Sequence, residues 1–324
     1  MKLKRLFLLA LLPAALLACG PKDVVNPITP PKTDPVDPTP EPGPSGDGVT
    51  MTVCSFNIRY YNTSDDLPWS ARQDAVKKFI DEEKPDLIGL QEVRKQQAQW
   101  FPSTFASEYG YYDVSRDSST GASVGTAGGE GVAVMYRKDR FELVLKDFFW
   151  LDPKTRELPI KNGDSDYGEW HSACRRVTVY AELKDKKNNN AIVWFFPTHY
   201  DHVSDDARQK SAELMVSQMK VLCKETNLKE ANNVILHVGD LNTTSDKAAL
   251  APLNDNMHYA RLEAAGSDKY TNTFNGWGKN PKIIDHIYYG GKTVKPIKYW
   301  VNTKNYGVAY ISDHYPVLFQ FEYK

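Results

Sequence analysis

Cysteine is scarce, charge is balanced and the one long apolar run is too short to cross a bilayer comfortably; each absence narrows what the chain can be. The 324 residues hold four cysteines. Cys54, Cys174 and Cys223 form an odd set without zinc-site spacing or a disulfide framework, so they read as small buried apolar residues. Forty Lys and Arg stand against 41 Asp and Glu, a net charge of −1. That removes the broad basic surface of a duplex-DNA binder and leaves room only for a local patch. The Gly-, Ser- and Thr-rich stretch from Ser118 to Gly131 lacks the Gly-Lys-Ser/Thr ending of a phosphate loop and reads as a loop at a rim. No internal repeat and no second linker appear after Val49, which predicts one domain over residues 49–324.

The beginning of the chain has a different character. Lys2, Lys4 and Arg5 precede an apolar stretch from Leu6 to Leu17, the pattern of a secretory signal over residues 1–18. Leu16, Leu17 and Ala18 leading into Cys19 resemble a bacterial lipobox, which implies acylation of the Cys19 thiol and a membrane anchor in the periplasm or on the cell surface. The rest of the segment 19–48 is rich in Pro, Asp, Thr and Gly. It has too little apolar surface to fold and reads as a semi-stiff tether.

Beyond the tether, β-rich runs recur at Thr50 to Phe56, Leu87 to Leu90, Gly131 to Tyr136, Arg176 to Leu183, Ala191 to Pro197, Val234 to Val238, Ile283 to Tyr289 and Val317 to Phe321. Many are continuous rather than alternating, which predicts strands buried on both faces. A helix is expected to open at Ser70 with Gln73 completing a capping box, burying Ala75, Val76, Phe79 and Ile80. A second is expected from Asp205 to Cys223, burying Ala207, Leu214, Met215, Met219 and Leu222. Strands mixed with a few amphipathic helices predict layered sheets covered by helices.

The functional signal lies in the polar residues that end or interrupt these strands. The first delivers Asn57 and the second Gln91 and Glu92; another delivers Thr198 and His199, then Asp201 and His202. Val234 to Val238 runs into Asp240 and Asn242, Ile283-Ile284 precedes Asp285 and His286, and Ser312, Asp313 and His314 precede the last strand. Any one of these is explained as a turn residue bonding locally. Six deliveries from strands that share a core point to convergence on one site. Strand alternation puts Asp285 and His286 on opposite faces and, if the chain stays extended, Asp240 and Asn242 on the same one.

In chain order, CSFNIRYYN, LIGLQEV, GEGVAVMYRK, THYDHVSDDARQ, VGDLNTT, TFNGW, IIDHIYY and SDHYPV resemble the endonuclease/exonuclease/phosphatase superfamily, the DNase I-like fold, from Thr52 to Phe321. The resemblance implies an α/β (α+β) four-layer sandwich of two mixed β-sheets flanked by helices. It also implies hydrolysis of phosphate esters by in-line water attack, with Mg2+ or Mn2+ as cofactor. Carried over by position, Glu92 resembles the principal metal ligand, with Asn57 and Asp313 close to the metal or its waters. Asp240 resembles the carboxylate that orients or deprotonates the water, Asn242 a phosphate-binding amide, His314 the imidazole on the scissile phosphate and Asp285 its orienting partner. His199 matches the second histidine, on the leaving-group side, and Arg176 is similar to an arginine of bacterial members. The family often carries Asn where this chain has Pro197. Hard oxygen donors suit magnesium or manganese over zinc. The sequence leaves open whether Asp240 or His314 is the base.

Other features admit two readings. His199-x-x-His202 would present two zinc ligands on one face of a helix, but here it comes after a strand, which reads against zinc. His237 lies within an apolar strand and reads as a hydrogen-bonded core residue. Tyr60, Tyr61, Trp69, Trp277 and Tyr306 either stack on a substrate, Trp277 in particular, or cover the core. The leading expectation is a monomeric phosphodiesterase or phosphatase acting on an extracytoplasmic small-molecule, sugar or lipid-headgroup phosphate. A scavenging nuclease on DNA or RNA, and a catalytically silent binding module, are the alternatives.

Overall fold

The computed structural model describes residues 48–152 and 168–324. The signal segment, Cys19 and nearly all of the tether lie outside the described residues. In chain order the strands are β1 Val49–Asn57, β2 Leu87–Arg94, β3 Tyr109–Ser115, β4 Glu130–Arg137, β5 Phe141–Trp150, β6 Val177–Asp185, β7 Ala191–His199, β8 Val234–Asp240, β9 His258–Tyr259, β10 Gly266–Ser267, β11 Asp285–Gly290, β12 Lys295–Val301 and β13 Val317–Tyr323. They form a seven-stranded sheet in the order β10-β12-β13-β1-β2-β4-β3 and a six-stranded sheet in the order β5-β6-β7-β8-β11-β9. Both are mixed: β1 and β2 run parallel, as do β7 and β8, while β1–β13 and β8–β11 are antiparallel.

The continuous apolar runs are explained by the layers. On β1, Val53 faces the apolar layer between the sheets and Cys54 the layer under the helices; on β8, Leu236 and Val238 face inward and Ile235 outward. A strand with helix on one side and sheet on the other needs apolar residues at both parities. The outer face of the first sheet is covered by α1, Trp69–Glu83, and α2, Lys95–Thr104; that of the second by α4, Asp205–Cys223. Short α3, Val124–Ala127, lies between α2 and α4 in the chain. The result is the expected four-layer sandwich. Phe56, Phe79 and Phe101 are fully buried under the helices, where truncation to Ala costs about 3–5 kcal/mol each.

Helix α4 begins as expected: Ser204 caps it by accepting from the Ala207 N–H, and Asp205 and Asp206 complement the positive end of its dipole. Leu214 and Leu222 are only half-buried, because Ala212, Val216 and Cys223 take the central positions of that face. Helix α1 departs from expectation. It starts at Trp69 behind Pro68, and no side chain caps it, so the Ser70–Gln73 box does not form. Pro68, held extended, sets the start one residue earlier. Among the longer elements the sequence runs missed β3, β5, β12 and α2: β5 is largely exposed, β12 has Lys295, Pro296 and Lys298 among its apolar residues, and α2 contains Pro102.

Pro197 sits inside β7, a central strand. The β6–β7 ladder pairs Thr178 with Thr198 and Ala181 with Phe195 but skips the positions between, in unchanged register. A missing donor has opened the ladder without shifting it. Across the layer, a Cβ at Gly89 would meet Pro197 and Val238 at 2.6–2.9 Å, so glycine is what lets the two sheets close here.

Candidate active site

Strand register builds one wall of the site. On the six-stranded sheet His199 at the end of β7 pairs with Asp240 at the end of β8, and Asp240 pairs with Asp285 at the start of β11. Three polar side chains thus stand abreast at one sheet edge, as residues in register must. The other sheet brings Asn57, at the end of β1, against this row: its Nδ2 donates to Asp240 Oδ2 and to Glu92 Oε1, both at 3.0 Å.

Glu92 arrives by an irregularity. The β2–β4 pairing shifts register between Leu90 and Val93, and Glu92 has φ +60°, a left-handed conformation unfavourable for an ordinary residue. A bulge in β2 therefore re-aims the carboxylate toward the space between the sheets, at a strain of about 1–3 kcal/mol. Asn242 is also left-handed, φ +53°, and turns back so that its Nδ2 donates to His199 Nε2 and to the Tyr200 carbonyl, each at 3.0 Å. Its backbone N–H donates to Asp240 Oδ1 at 2.9 Å, which completes a tight turn at the end of β8.

His314 closes the group from the loop before β13. Its Nδ1 lies 2.9 and 3.1 Å from the two Asp285 oxygens, and its Nε2 3.7 Å from Asp240 Oδ2. Burial opposes a charge on this imidazole, but Asp285 and Asp240 outweigh it and lift its pKa to about 10. Burial, reinforced by Asp285 and offset by His314, pushes Asp240 up to about 7. His199 moves the other way: burial, then Arg176 and Arg116, hold it well below the usual histidine range, so it is neutral. The site thus presents one cationic and one neutral imidazole on either side of Asp240.

The cavity in front of these groups has a volume of about 410 Å³ and is lined by Glu92, His199, Asp240, Asn242, Asp313 and His314 together with Arg59, Arg116 and Arg176. Asp313 lies on the Arg59 side, with Oδ2 3.7 Å from Arg59 Nη1. Asn57 and Asp285 stand behind the lining as partners of Glu92 and His314. Trp277 is the predicted residue that the fold does not bring to the cavity: it packs edge-on against Tyr310, with Arg72 5.8 Å from its ring. Phe274 is the lining aromatic there, 4.9 Å from the His314 ring. Tyr60 also lines the cavity, while Trp69 and Tyr306 are buried core residues. His237 is core as expected, bonded to Phe196 O at 3.1 Å and 3.3 Å from Tyr200 Oη.

Seven lining residues escaped the sequence reading: Phe274, Lys282 and Ile284, and the four that follow. Cys174 is half-buried at the cavity wall rather than in the core. Glu130 opens β4, forms an ion pair with Arg116 at 2.6 Å and lies 3.9 Å from His199 Nδ1. Its place immediately before the run Gly131–Tyr136 was the available signal. Arg59, bonded to Asp65 at 2.9 and 3.0 Å, lies within CSFNIRYYN but was given no role there, and Arg116 carries no pattern; the fold turns both inward.

The residues fit a hard divalent cation. One ligand atom each from Glu92, His199 and Asp240 lies within 4.8 Å of the others, as do atoms of Asp240, Asp285 and His314. Glu92, Asp240 and Asp285 bring three carboxylates to the site, and the Asn57 amide bridges the first two. The donor set is rich in oxygen and matches magnesium or manganese. His202 is occupied elsewhere, its Nδ1 2.9 Å from Arg176 Nη2, and among the described residues no three-ligand group contains it.

Known proteins resemble this chain in sequence and fold. Residues 54–314 match the sequence profile described as "Endonuclease/Exonuclease/phosphatase family". An endonuclease/exonuclease/phosphatase structure from Bacteroides vulgatus is 29% identical, with a TM-score of 0.71 over 85% of this chain and 100% of that one. A mannosyl-6-phosphatase from Bacteroides thetaiotaomicron is 26% identical, with a TM-score of 0.71 over 84% of this chain and 99% of that one. The 3'-5'-exoribonuclease subunit Ccr4 of the CCR4-Not complex of Kluyveromyces lactis is 26% identical over 63% of this chain and 29% of its own length. The chain spans 29–41% of the length of the Ccr4 relatives first matched. With a family profile covering most of its sequence, and with two mixed sheets bringing the matching acids, amides and imidazoles to one edge, this chain belongs to the endonuclease/exonuclease/phosphatase family.

Proposed function

We propose that the chain is a Mg2+-dependent phosphoesterase that hydrolyses a small anionic phosphate ester outside the cytoplasm, tethered to a membrane through acylated Cys19. The observation that carries the catalytic part is the row His199–Asp240–Asp285 with His314 across it, opening on a cavity sized for a small molecule. Glu92 and Asn57, with Asp313 nearby, are the residues to hold the cation, which when bound would neutralise phosphate charge. The charge states divide the remaining work. His314, cationic, donates from Nε2 to a phosphate oxygen and stabilises the charge of the transition state. Asp240, with the Asn57 and Asn242 donors fixing its two oxygens, orients and deprotonates the attacking water. Asn242, whose two amide protons go to His199 Nε2 and the Tyr200 carbonyl, holds neutral His199 toward the leaving group rather than binding the phosphate itself.

The mannosyl-6-phosphatase neighbour favours a sugar phosphate among small esters. The Ccr4 relatives favour a second reading, a nuclease, whose binding would depend steeply on salt through backbone-tracking Lys and Arg. A panel of sugar phosphates, aryl phosphodiesters, plasmid and RNA, each with Mg2+ and with Mg2+ plus chelator, tests the proposal. Chelator-sensitive, salt-tolerant release of phosphate from a small ester supports it. Cleavage confined to polynucleotides establishes the nuclease, and no chelator-sensitive turnover on any substrate leaves a silent binding module.

A further inference from the structure

The cavity wall beyond His199 holds charge that the reaction centre does not use. Arg176 is 5% exposed; its Nη2 meets His202, but neither Nε nor Nη1 makes a hydrogen bond among the described residues. Asp201, 3.6 Å from Nε, does not satisfy it, because the backbone N–H groups of Ala173, Cys174, Val203 and Ser204 take its two oxygens. Buried guanidinium donors without acceptors are unfavourable unless an anion or water meets them.

Arg116 stands beside this group, joined to Glu130 at 2.6 Å. Glu130 faces His199 Nδ1 at 3.9 Å while His199 Nε2 faces Asp240 at 3.5 Å, so the imidazole separates the reacting carboxylate from the arginine side. Both arginines line the main cavity, and both line a recess of about 10 Å³, room for about one water. A larger anionic group must therefore approach from the main cavity.

We propose that Arg116 and Arg176 form a subsite, across the His199 ring from Asp240, for a second anionic group of the substrate. The preferred esters then carry a phosphate or carboxylate a few bonds from the scissile phosphate. The inference rests on the phosphoesterase reading for its meaning, but binding tests it without turnover. Propylphosphonate, 3-phosphonopropionate and propane-1,3-diyl bisphosphonate are titrated calorimetrically into the full chain with Mg2+, for wild type, Arg116→Gln and Arg176→Gln. Wild type is expected to bind at least one of the two dianchored probes about tenfold or more tighter than propylphosphonate, as one added charge-assisted contact gives, and each variant to lose most of that ratio. Which probe gains distinguishes a carboxylate from a phosphate. Equal affinity for all three, or a proportionate loss on all three in the variants, overturns the subsite and moves the arginines to the scissile phosphate. Should Arg176→Gln fail to fold, Arg116→Gln, at a more exposed side chain, carries the test. Binding that follows this pattern in a chain hydrolysing no ester upholds the subsite and overturns the catalytic reading alone.

Discussion

His314 Nδ1 lies 2.9 Å from Asp285 Oδ2, with both side chains buried, and this contact sets the imidazole's charge and direction at once. Asp285 fixes the ring so that Nε2 points to Asp240 and the cavity. Asp285→Asn keeps the shape but removes the charge that most favours the imidazolium. The expected result is a His314 pKa well below its present value of about 10, read by NMR titration, and kcat lower by about 10²–10⁴-fold. An unchanged titration with full activity would remove Asp285 from the mechanism.

The same groups make the metal-free fold sensitive to alkali. The folded-state pKa of Asp240 is raised to about 7 from 3.8, and that of His314 to about 10 from 6.5. In each case the folded state holds a proton that the unfolded chain has released. The stabilisation from His314 is fully present below about 6.5 and is lost as pH rises toward 10; that from protonated Asp240 is lost between about 4 and 7. Thermal unfolding in chelator should therefore show Tm falling across both windows. Asp240→Asn should flatten the lower window and abolish turnover, and a Tm profile unchanged by that substitution would contradict the raised Asp240 pKa.

Glu92 is expected to be the dominant hold on the cation. Glu92→Gln should weaken Mg2+ binding by at least about tenfold by calorimetry, while circular dichroism stays that of the wild type. The bulge is set by backbone pairing, so the amide can occupy the same place without carrying the charge.

Anchoring at Cys19 is testable apart from catalysis. In a bacterial host, Cys19→Ser should shift the chain from the membrane to the soluble fraction and end incorporation of labelled fatty acid. Membrane association that survives the substitution would exclude this thiol as the anchor.

Much of the fold was legible because the layers impose it: strands such as Val234 to Val238 must be apolar at both parities, and α4 carries its own cap. The polar row was legible for a related reason, since Asn57, Glu92, His199, Asp240 and His314 each flank an apolar run that cannot itself leave the core. What escaped detection depends on geometry between elements. Whether Glu130 and Arg116 turn toward His199 is decided by the β3–β4 pairing, and although Glu130 precedes an apolar run, nothing local marks Arg116 as its partner. Trp277 shows the converse: adjacency to a motif suggested the cavity, but its left-handed backbone, φ +59°, goes with packing on Tyr310. The helix start at Trp69 was missed because a proline can set an entry without any capping side chain.

Glu92 and Asn57 are expected to hold a divalent cation beside Asp240 and His314, where a phosphate is to be cleaved. Crystals grown with Mn2+ and inorganic phosphate, measured at the manganese absorption edge, test it directly. The anomalous peak is expected against Glu92, with a phosphate oxygen within hydrogen-bond reach of His314. A manganese ion bound away from Glu92, with phosphate remote from His314, would contradict the account.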